Sequence, residues 1–172
     1  MPNRVVVQAS VQGQCPANCL SGPVGGAGAV GDLREMLVEL HPRELTGDNL
    51  ADLVATSAIR ACPDQKVAVS ARLQRTFRPE VAAFLYRCAR ECAINVAKHA
   101  AADTVDITLD SDEAGIRLVV RDDGVGIAPG ALDRCDGHLG LLLRDAATDL
   151  GGSLTVAGGP VGTVVTVGLP AR

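Results

Sequence analysis

Aromatic side chains are nearly missing from this sequence, which has no Trp, one Tyr and two Phe among its 172 residues. With 47% hydrophobic residues the chain can still bury a sizeable core, and Leu, Val, Ile and Ala must fill it. An excess of positive charge is missing too, since the formal net charge is −4. The charge therefore gives no general attraction to nucleic acid or to an anionic membrane surface.

Long apolar runs are also missing. None approaches the roughly 20 residues that a membrane-spanning helix needs, and the start, MPNRVVVQASVQG, has too short an apolar stretch for a secretion signal. These absences predict a soluble, cytoplasmic chain without membrane contact. At 172 residues it should form one domain, with room for an appendage.

Six cysteines are present, and without a secretion signal we expect their thiols to be reduced. Cys15 and Cys19 have the spacing of half a metal site, but no second pair of suitable spacing follows, which favours loop cysteines. Cys88 and Cys92 lie one helical turn apart in an apolar stripe. This pattern favours buried thiols that behave as small hydrophobic side chains.

The composition changes near residue 31. Residues 1–31 are rich in Gly, Pro and small residues, so we predict a flexible tail, a linker or a segment added for expression. Beyond them, helices mixed with antiparallel hairpins predict an α/β sandwich with one sheet face covered by helices. Helices are predicted over 32–41, 47–62 (with Asp48 as N-cap), 78–100 and 140–152, a strand over 66–73, and hairpins over 104–122 and 153–170.

The long predicted helix over 78–100 carries a polar sector about 80° wide at 100° per residue. Its members are Arg87, Glu91, Asn95 and Lys98. A solvated face is the ordinary interpretation of such a sector. However, Asn is a mediocre helix former, and Asn95 one turn after Glu91 offers an amide and a carboxylate oxygen together, which suit Mg²⁺. Lys98 adds a cation that can meet phosphate.

Glycines follow carboxylates directly after a predicted strand. The stretch RDDGVGIAPG, residues 121–130, places two Asp before Gly-x-Gly, which suits a loop whose backbone a ligand approaches. Further on, Gly137 and Gly140 lie at the mouth of a predicted helix, where backbone N–H groups bind anions. Each of these patterns alone is weak evidence for a nucleotide or phosphate site. The evidence is much stronger when all three occur in order: the oxygen ligands, the carboxylate beside glycines and the anion site.

These motifs resemble those of the GHKL ATPase superfamily. RECAINVAKHA is similar to its asparagine box, DDGVGI to its first glycine box, GHLGL to its second and GTVVTVGLP to its terminal strand. The pattern Glu-x-x-x-Asn-x-x-Lys-His at 91–99 is typical of bacterial sensor histidine kinases of the nitrate-sensor type, and LREMLVELHPREL resembles the end of their second dimerisation helix. The resemblance implies the Bergerat ATP-binding fold, a two-layer α/β sandwich with a mixed, mostly antiparallel sheet.

The resemblance also implies roles for single residues. Asn95 resembles the Mg²⁺ ligand, and Glu91 the acidic residue that activates the attacking group or orients the metal's water. Asp122 matches the carboxylate that accepts from the adenine amino group, with the box glycines closing around the base and Asp123 an incidental neighbour. The full set implied to bind ATP is Asn95, Lys98, His99, Asp122, Gly124, Gly126, Gly137, His138, Leu139, Gly140, Leu141 and Thr163.

Within that set, Lys98 and His99 would lie on the phosphate side and Thr163 near adenine. Residues 137–141 would wrap the phosphates with backbone N–H groups. Residues 127–136 match the ATP lid, and their Pro, Gly and Asp content suits a mobile loop.

A phosphoacceptor histidine is missing from the pattern. Kinases of this type phosphorylate a histidine on the first dimerisation helix, usually followed by an acidic residue, whereas His41, His99 and His138 are followed by Pro, Ala and Leu. The chain would therefore serve a histidine on a separate or missing dimerisation domain, reach a response regulator only indirectly, and barely phosphorylate itself. The implied parts are a tail over 1–31, a dimerisation-helix remnant over 32–46 and a catalytic domain over 47–172.

Two other functions stay open at this point. An anti-sigma-factor-type serine kinase shares the nucleotide boxes, but it would lack the dimerisation-helix remnant that 32–45 resembles. A non-catalytic ATP-binding interaction module would have to lack catalytic activity although all of the nucleotide-binding motifs are intact. The sequence also leaves open whether the chain is a piece of a longer sensor, which can be membrane-anchored, or a natural half of a split kinase.

Overall fold

The structure is a computed structural model that describes residues 4–9, 49–74, 77–127 and 138–171. These residues form six strands, three α-helices and one π-helical turn that continues the second helix. In chain order the elements are β1 (Arg4–Ala9), α1 (Leu50–Ala61), β2 (Lys66–Arg72), α2 (Pro79–Asn95), the π turn (Val96–Ala100), β3 (Thr104–Ser111), β4 (Gly115–Asp122), α3 (His138–Asp149), β5 (Ser153–Gly159) and β6 (Gly162–Pro170).

The described strands form one mixed sheet in the order β1-β2-β3-β4-β6-β5. β2 and β3 run parallel, with Val69 opposite Ile107, and the other neighbouring pairs are antiparallel. A parallel pair cannot be joined by a tight turn, so the chain crosses between the two strands through α2 and the π turn. The expected α/β sandwich with a mixed, mostly antiparallel sheet is confirmed, as are both predicted hairpins.

Buried and exposed residues alternate along the central strands, and this alternation decides which face of the sheet is buried. In β3, Val105, Ile107 and Leu109 are buried and the residues between them are exposed. β4 follows the same rule, so that its buried Val120 lies directly opposite Ile107. One face of the sheet is therefore apolar and able to receive the helices.

The three helices cover this apolar face with small and aliphatic side chains at helical spacing. Val54 and Ala58 do so on α1, and Leu143 and Ala147 on α3. Full burial of a side chain such as Leu85 of α2 stabilises the fold by about 1.5–3 kcal/mol. Aliphatic residues thus supply most of the core, as the composition predicts. Among the described residues, no helix is both long and apolar enough to cross a bilayer.

The N-terminal strand differs from the sequence-based prediction. The prediction of a tail over 1–31 does not hold for residues 4–9, because β1 pairs with β2 and brings Val7 opposite Val69. A run of three β-branched residues, Val5 to Val7, explains the strand, since such side chains favour extended pairing. The predicted dimerisation-helix remnant over 32–46 lies outside the described residues.

Helix limits differ by a few residues from the prediction. The helix predicted over 78–100 changes to π geometry at Val96, and the helix predicted over 140–152 begins earlier, at His138. The predicted cap at Asp48 lies outside the described residues. The N-cap of α1 is Asn49, whose side chain makes no capping hydrogen bond.

Candidate functional site

Three of the four segments that carry predicted site residues meet at one end of the sheet. The loop after β4 lies between the π turn and the turn that joins β5 to β6. On one side the Val125 N–H donates to the carbonyl of Ala100 at 2.8 Å, and on the other the Thr163 N–H donates to Asp122 Oδ1 at 3.3 Å. The asparagine box spans the end of α2 and the whole of the same π turn. The fold therefore brings together three motifs that are far apart in sequence.

Asp122 ends β4 as a buried carboxylate, with 7% of its surface exposed. Its Oδ1 accepts hydrogen bonds from the Gly124 N–H at 2.9 Å and from the Thr163 N–H at 3.3 Å. Within the described residues its Oδ2 accepts none, so one oxygen of a buried carboxylate remains for a ligand. A ligand N–H that donates to Oδ2 would complete the hydrogen bonding of this carboxylate. This arrangement suits the amino group of a base such as adenine.

Asp123, the next residue, is exposed and holds the start of β3. Its Oδ1 accepts from the N–H groups of Asp103 and Thr104, both at 2.9 Å, and its Oδ2 accepts from the Thr104 hydroxyl at 2.7 Å. These hydrogen bonds, with the Thr104 N–H first, lower the pKa of Asp123 below its ordinary value. The interpretation of Asp123 as an incidental neighbour missed this structural role.

The glycines of the first box face protein backbone. A Cβ on Gly124 would collide with the carbonyl of Ala100, and a Cβ on Gly126 with the backbone at the end of β5. Gly126 also has a φ of +70°, which residues with a side chain adopt only with strain. On the hairpin, a Cβ on Gly162 would collide with the carbonyl of Asp122. These glycines therefore allow three backbone segments to pack together, a reason that sequence analysis did not supply.

Glu91 and Asn95 lie one turn apart near the C-terminal end of α2. Glu91 is buried, with its Oε1 3.6 Å from Arg90 Nη1, whereas Asn95 is exposed. Arg87 and Lys98, the other members of the polar sector, are exposed as well. A buried carboxylate within an otherwise exposed sector does not fit a plain solvated face, because burying a charge is costly.

The described residues fit a magnesium ion that arrives with a nucleotide. No group of three His, Cys, Asp or Glu side chains within the described ranges lies close enough to hold a metal ion. Asn95 offers an exposed amide oxygen, and Mg²⁺ commonly takes one or two protein ligands and completes its shell with water and phosphate oxygens. The donor set does not fit an ion held by these protein groups alone.

The π turn is a feature that the hydrophobic periodicity did not predict. It exposes Lys98 and His99 and ends where Ala101 adopts a left-handed backbone with a φ of +47°. Because a π turn is wider than an α turn, Lys98 and His99 do not keep the 100° spacing from Asn95 that the sequence analysis used. Such turns are frequent at functional sites, but no residue type in INVAKHA signals one.

The second glycine box lies at the N-terminus of α3. His138, Leu139, Gly140 and Leu141 form its first turn, where backbone N–H groups have no partner inside the helix. An N-terminus of this kind attracts anions, so the phosphate contacts assigned to these residues stay a prediction with a physical basis. Gly137 and all of the predicted lid except Ile127 lie outside the described residues.

Cys92 lies within the electrostatic reach of both site carboxylates. Burial, and then the negative charges of Glu91 and Asp122, raise the pKa of its thiol to about 12. Burial also raises the pKa of the Cys88 thiol, and Cys62, Cys88 and Cys92 are free. Cys88 is buried, as predicted, whereas Cys92 is only partly buried and packs against the core. The remaining cysteines, which lie outside the described residues, are Cys15, Cys19 and Cys135.

Comparison of the sequence with known families and proteins finds similar ATPases and kinases. The family model of histidine kinase-, DNA gyrase B-, and HSP90-like ATPases matches residues 80–172. Over 143 residues the chain is 31% identical to the sensor histidine kinase NarS of Mycobacterium tuberculosis, a match that covers 81% of this chain and 34% of NarS. The chain thus spans about a third of the length of that curated relative.

Solved structures show the same fold. A histidine kinase domain from the EL346 blue-light activated histidine kinase of Erythrobacter litoralis superposes with a TM-score of 0.59 at 27% identity, covering 72% of this chain and 60% of that one. The ATP binding domain of PrrB from Mycobacterium tuberculosis superposes with a TM-score of 0.55 at 24% identity, covering 72% and 93%. The second likeness is one of fold alone.

Proposed function

Because this chain belongs to the family of histidine kinase-, DNA gyrase B- and HSP90-like ATPases, we propose that it is the ATP-binding catalytic domain of a sensor histidine kinase. It binds Mg-ATP in the cytoplasm and donates the γ-phosphate to a histidine of a dimerisation domain in two-component signalling. The observation that carries this proposal is the buried Asp122 carboxylate, whose Oδ1 is held by two backbone N–H groups while Oδ2 has no described donor.

At the base end, Asp122 selects adenine. Its Oδ2 accepts from the exocyclic amino group, whereas guanine and hypoxanthine present an oxygen at that position and leave the carboxylate unpaired. A site built around a buried hydrogen-bonding group rejects such analogues strongly. The two N–H donors on Oδ1 hold the carboxylate in place before the base arrives, so little ordering is needed on binding.

At the phosphate end, Asn95 supplies the amide oxygen that ligates Mg²⁺. Bound there, Mg²⁺ would supply positive charge that offsets the charge of the phosphates, with Asn95 as its protein ligand. Lys98 and His99 contact the phosphate side, and their exposure suits groups that meet a ligand arriving from solvent. The backbone N–H groups of residues 138–141, the first turn of α3, bind the phosphates.

Glu91 is the acid–base group of the reaction. The transfer breaks the bond between the γ-phosphorus and the oxygen that bridges to the β-phosphate, forms a bond from an imidazole nitrogen to that phosphorus, and leaves ADP. The attacking imidazole loses its N–H proton, and Glu91 accepts it directly or through a water molecule. Glu91 lies one helical turn before Asn95, which keeps its carboxylate on the same side of α2 as the metal ligand.

The phosphoacceptor histidine belongs to another domain. His99 and His138 belong to the two phosphate-side motifs, and a place in a nucleotide-binding motif does not by itself supply the in-line geometry that attack on the γ-phosphorus requires. His41 lies outside the described residues and directly precedes Pro42. The partner is therefore the dimerisation domain of the same kinase or of a partner kinase, and a response regulator receives the phosphate only indirectly.

Transfer of labelled γ-phosphate tests the proposal. We expect the purified chain alone to incorporate almost no label and a separately supplied dimerisation domain to become labelled. The product should be acid-labile, as phosphohistidine is. An acid-stable product would instead indicate a serine kinase of the anti-sigma-factor type, and ATP binding without any transfer would indicate a non-catalytic ATP-binding module.

A further inference from the structure

Asp123 joins two parts of the proposed nucleotide site. It directly follows the adenine-selecting carboxylate, and its own oxygens accept three hydrogen bonds from Asp103 and Thr104 at the start of β3. The same loop is held a second time, because the Val125 N–H donates to the carbonyl of Ala100 at 2.8 Å. The loop after β4 is therefore fastened at two successive points to the segment 100–104.

The segment 100–104 is itself firmly placed. It continues directly from the π turn, and its backbone reverses in the left-handed conformation of Ala101. On the sheet side, the carbonyl of Asp103 accepts from the Lys66 N–H of β2 at 2.9 Å. Asp123 thus fastens the base-side loop to a segment that is anchored in the sheet and continuous with the phosphate-side residues.

We propose that Asp123 is a positioning residue for adenine selection: it fixes the backbone that carries Asp122 and so sets the direction of Asp122 Oδ2. This inference rests on the proposed function, since it requires Asp122 to accept from the adenine amino group. Both Asp123 oxygens receive donors from the protein itself, so the residue acts through Asp122 and does not touch the base. Its loss should reduce discrimination between bases more than it reduces binding of the phosphates.

Calorimetric titration with ADP and with inosine diphosphate measures this discrimination, because hypoxanthine carries an oxygen where adenine carries its exocyclic amino group. We expect the unchanged protein to bind ADP about tenfold or more tightly than inosine diphosphate. In Asp123→Ala the ratio of the two affinities should fall about threefold or more, mainly through weaker ADP binding. Asp123→Asn should keep most of the ratio, because its amide oxygen can still accept from both backbone N–H groups.

Asp112 provides a matched control at the other end of the β3–β4 hairpin. Its Oδ1 accepts from the backbone N–H groups of Ala114 and Gly115 at 2.8 and 3.1 Å. Asp112→Ala therefore also removes side-chain to backbone hydrogen bonds from the same hairpin. We expect it to lower the unfolding temperature as Asp123→Ala does and to leave the ratio of affinities unchanged.

The outcomes separate this inference from the proposed function. If the unchanged protein binds the two diphosphates equally or not at all, adenine selection by Asp122 fails. If it discriminates and Asp123→Ala keeps the full ratio, or Asp112→Ala lowers the ratio equally, only the positioning role is overturned. Should Asp123→Ala not fold, Asp123→Ser replaces it, because one short hydroxyl cannot accept from all three donors; an unchanged ratio there overturns the role, and a fall supports it.

Discussion

The Thr163 N–H donates to Oδ1 of Asp122, and this hydrogen bond extends the sheet by one step. The last backbone pair between β4 and β6 joins Arg121 to Val164, so the next position on each strand is occupied by these two residues. A side-chain carboxylate therefore takes the place of a backbone carbonyl at the end of the ladder. The adenine-selecting group of the proposed site is thus part of the sheet framework.

Asp122→Asn should weaken ADP binding about tenfold or more while the fold is retained. The amide oxygen can still accept from the Gly124 and Thr163 N–H groups, but an NH₂ group replaces Oδ2 and presents a donor to another donor. Calorimetric titration with ADP checks the affinity, and far-UV circular dichroism checks the fold. Asp112→Asn is the control with unchanged affinity, and an equally tight Asp122→Asn protein would exclude Asp122 as the adenine acceptor.

Asn95→Ala should remove the magnesium dependence of nucleotide binding. Asn95 supplies the exposed amide oxygen of the asparagine box, and no carboxylate cluster in the described ranges can replace it. Titration with ATP in Mg²⁺ and in chelator should give the same affinity for this variant and different affinities for the unchanged protein. Asn95→Asp keeps an oxygen at the position and should keep the dependence. If Mg²⁺ strengthens ATP binding by Asn95→Ala as much as it does for the unchanged protein, Asn95 is not the Mg²⁺ ligand.

Glu91→Gln should depress phosphoryl transfer to a dimerisation domain far more than it weakens ATP binding. An acid–base group acts mainly in the transition state, and its removal typically costs about 10²- to 10⁴-fold in rate. Single-turnover labelling of the dimerisation domain gives the rate, and titration gives the affinity. A parallel loss of both, or no loss of rate, would contradict the role. Stoichiometric acid-labile label on this chain alone would refute the separate-acceptor arrangement and direct attention to His41.

Gly124→Ala should lower the free energy of unfolding by about 1–3 kcal/mol, because the added methyl group collides with the carbonyl of Ala100. That carbonyl already accepts from the Val125 N–H, so it cannot move away without breaking the bond. Gly159→Ala is the matched change, since a Cβ there has no atom within 4 Å, and we expect it to stay within about 0.5 kcal/mol. Urea unfolding measures the free energy of unfolding of both variants. Equal values for Gly124→Ala and Gly159→Ala would contradict the packing role of Gly124.

Stability should fall as the pH rises above about 9, in part through Cys92. An unfolded thiol ionises near its ordinary pKa of 9.0, whereas burial and the site carboxylates raise the pKa of Cys92 to about 12 in the folded state. Between these values the unfolded state holds fewer protons, so its ionisation draws the equilibrium toward unfolding. Urea unfolding at pH 8 and pH 10 should show a larger loss for the unchanged protein than for Cys92→Ala. Equal losses would show that Cys92 does not contribute.

Local patterns were sufficient to predict most of the described elements. The hairpins of β3–β4 and β5–β6 follow from alternation and short turns, which are properties of neighbouring residues. The same holds for the aliphatic core and for α2, whose polar sector follows from the helical periodicity of its own residues. The resemblance of the boxes then placed Glu91, Asn95 and Asp122 on elements that the structure brings to one end of the sheet.

Non-local contacts explain what the sequence analysis missed. Val5 to Val7 favour an extended strand, but nothing in residues 4–9 indicates that β2 is its partner. The structural role of Asp123 is invisible in the sequence because its donors lie about 20 residues earlier in the chain, at Asp103 and Thr104. The partner of each box glycine is likewise a carbonyl on another segment. Periodicity cannot indicate the π turn either, because a few residues are too short a stretch to show a change of period.

The parallel pairing of β2 with β3 has a consequence for the order of folding. The two hairpins close short loops and can form early, whereas joining β2 to β3 and β4 to β6 closes loops that each contain a whole helix. Thr163 reaches Asp122 only when β4 joins β6, which is one of these later, long-loop steps. A chain with both hairpins formed would therefore be compact but unable to distinguish one nucleotide from another, and recognition of the base would appear only when assembly is complete.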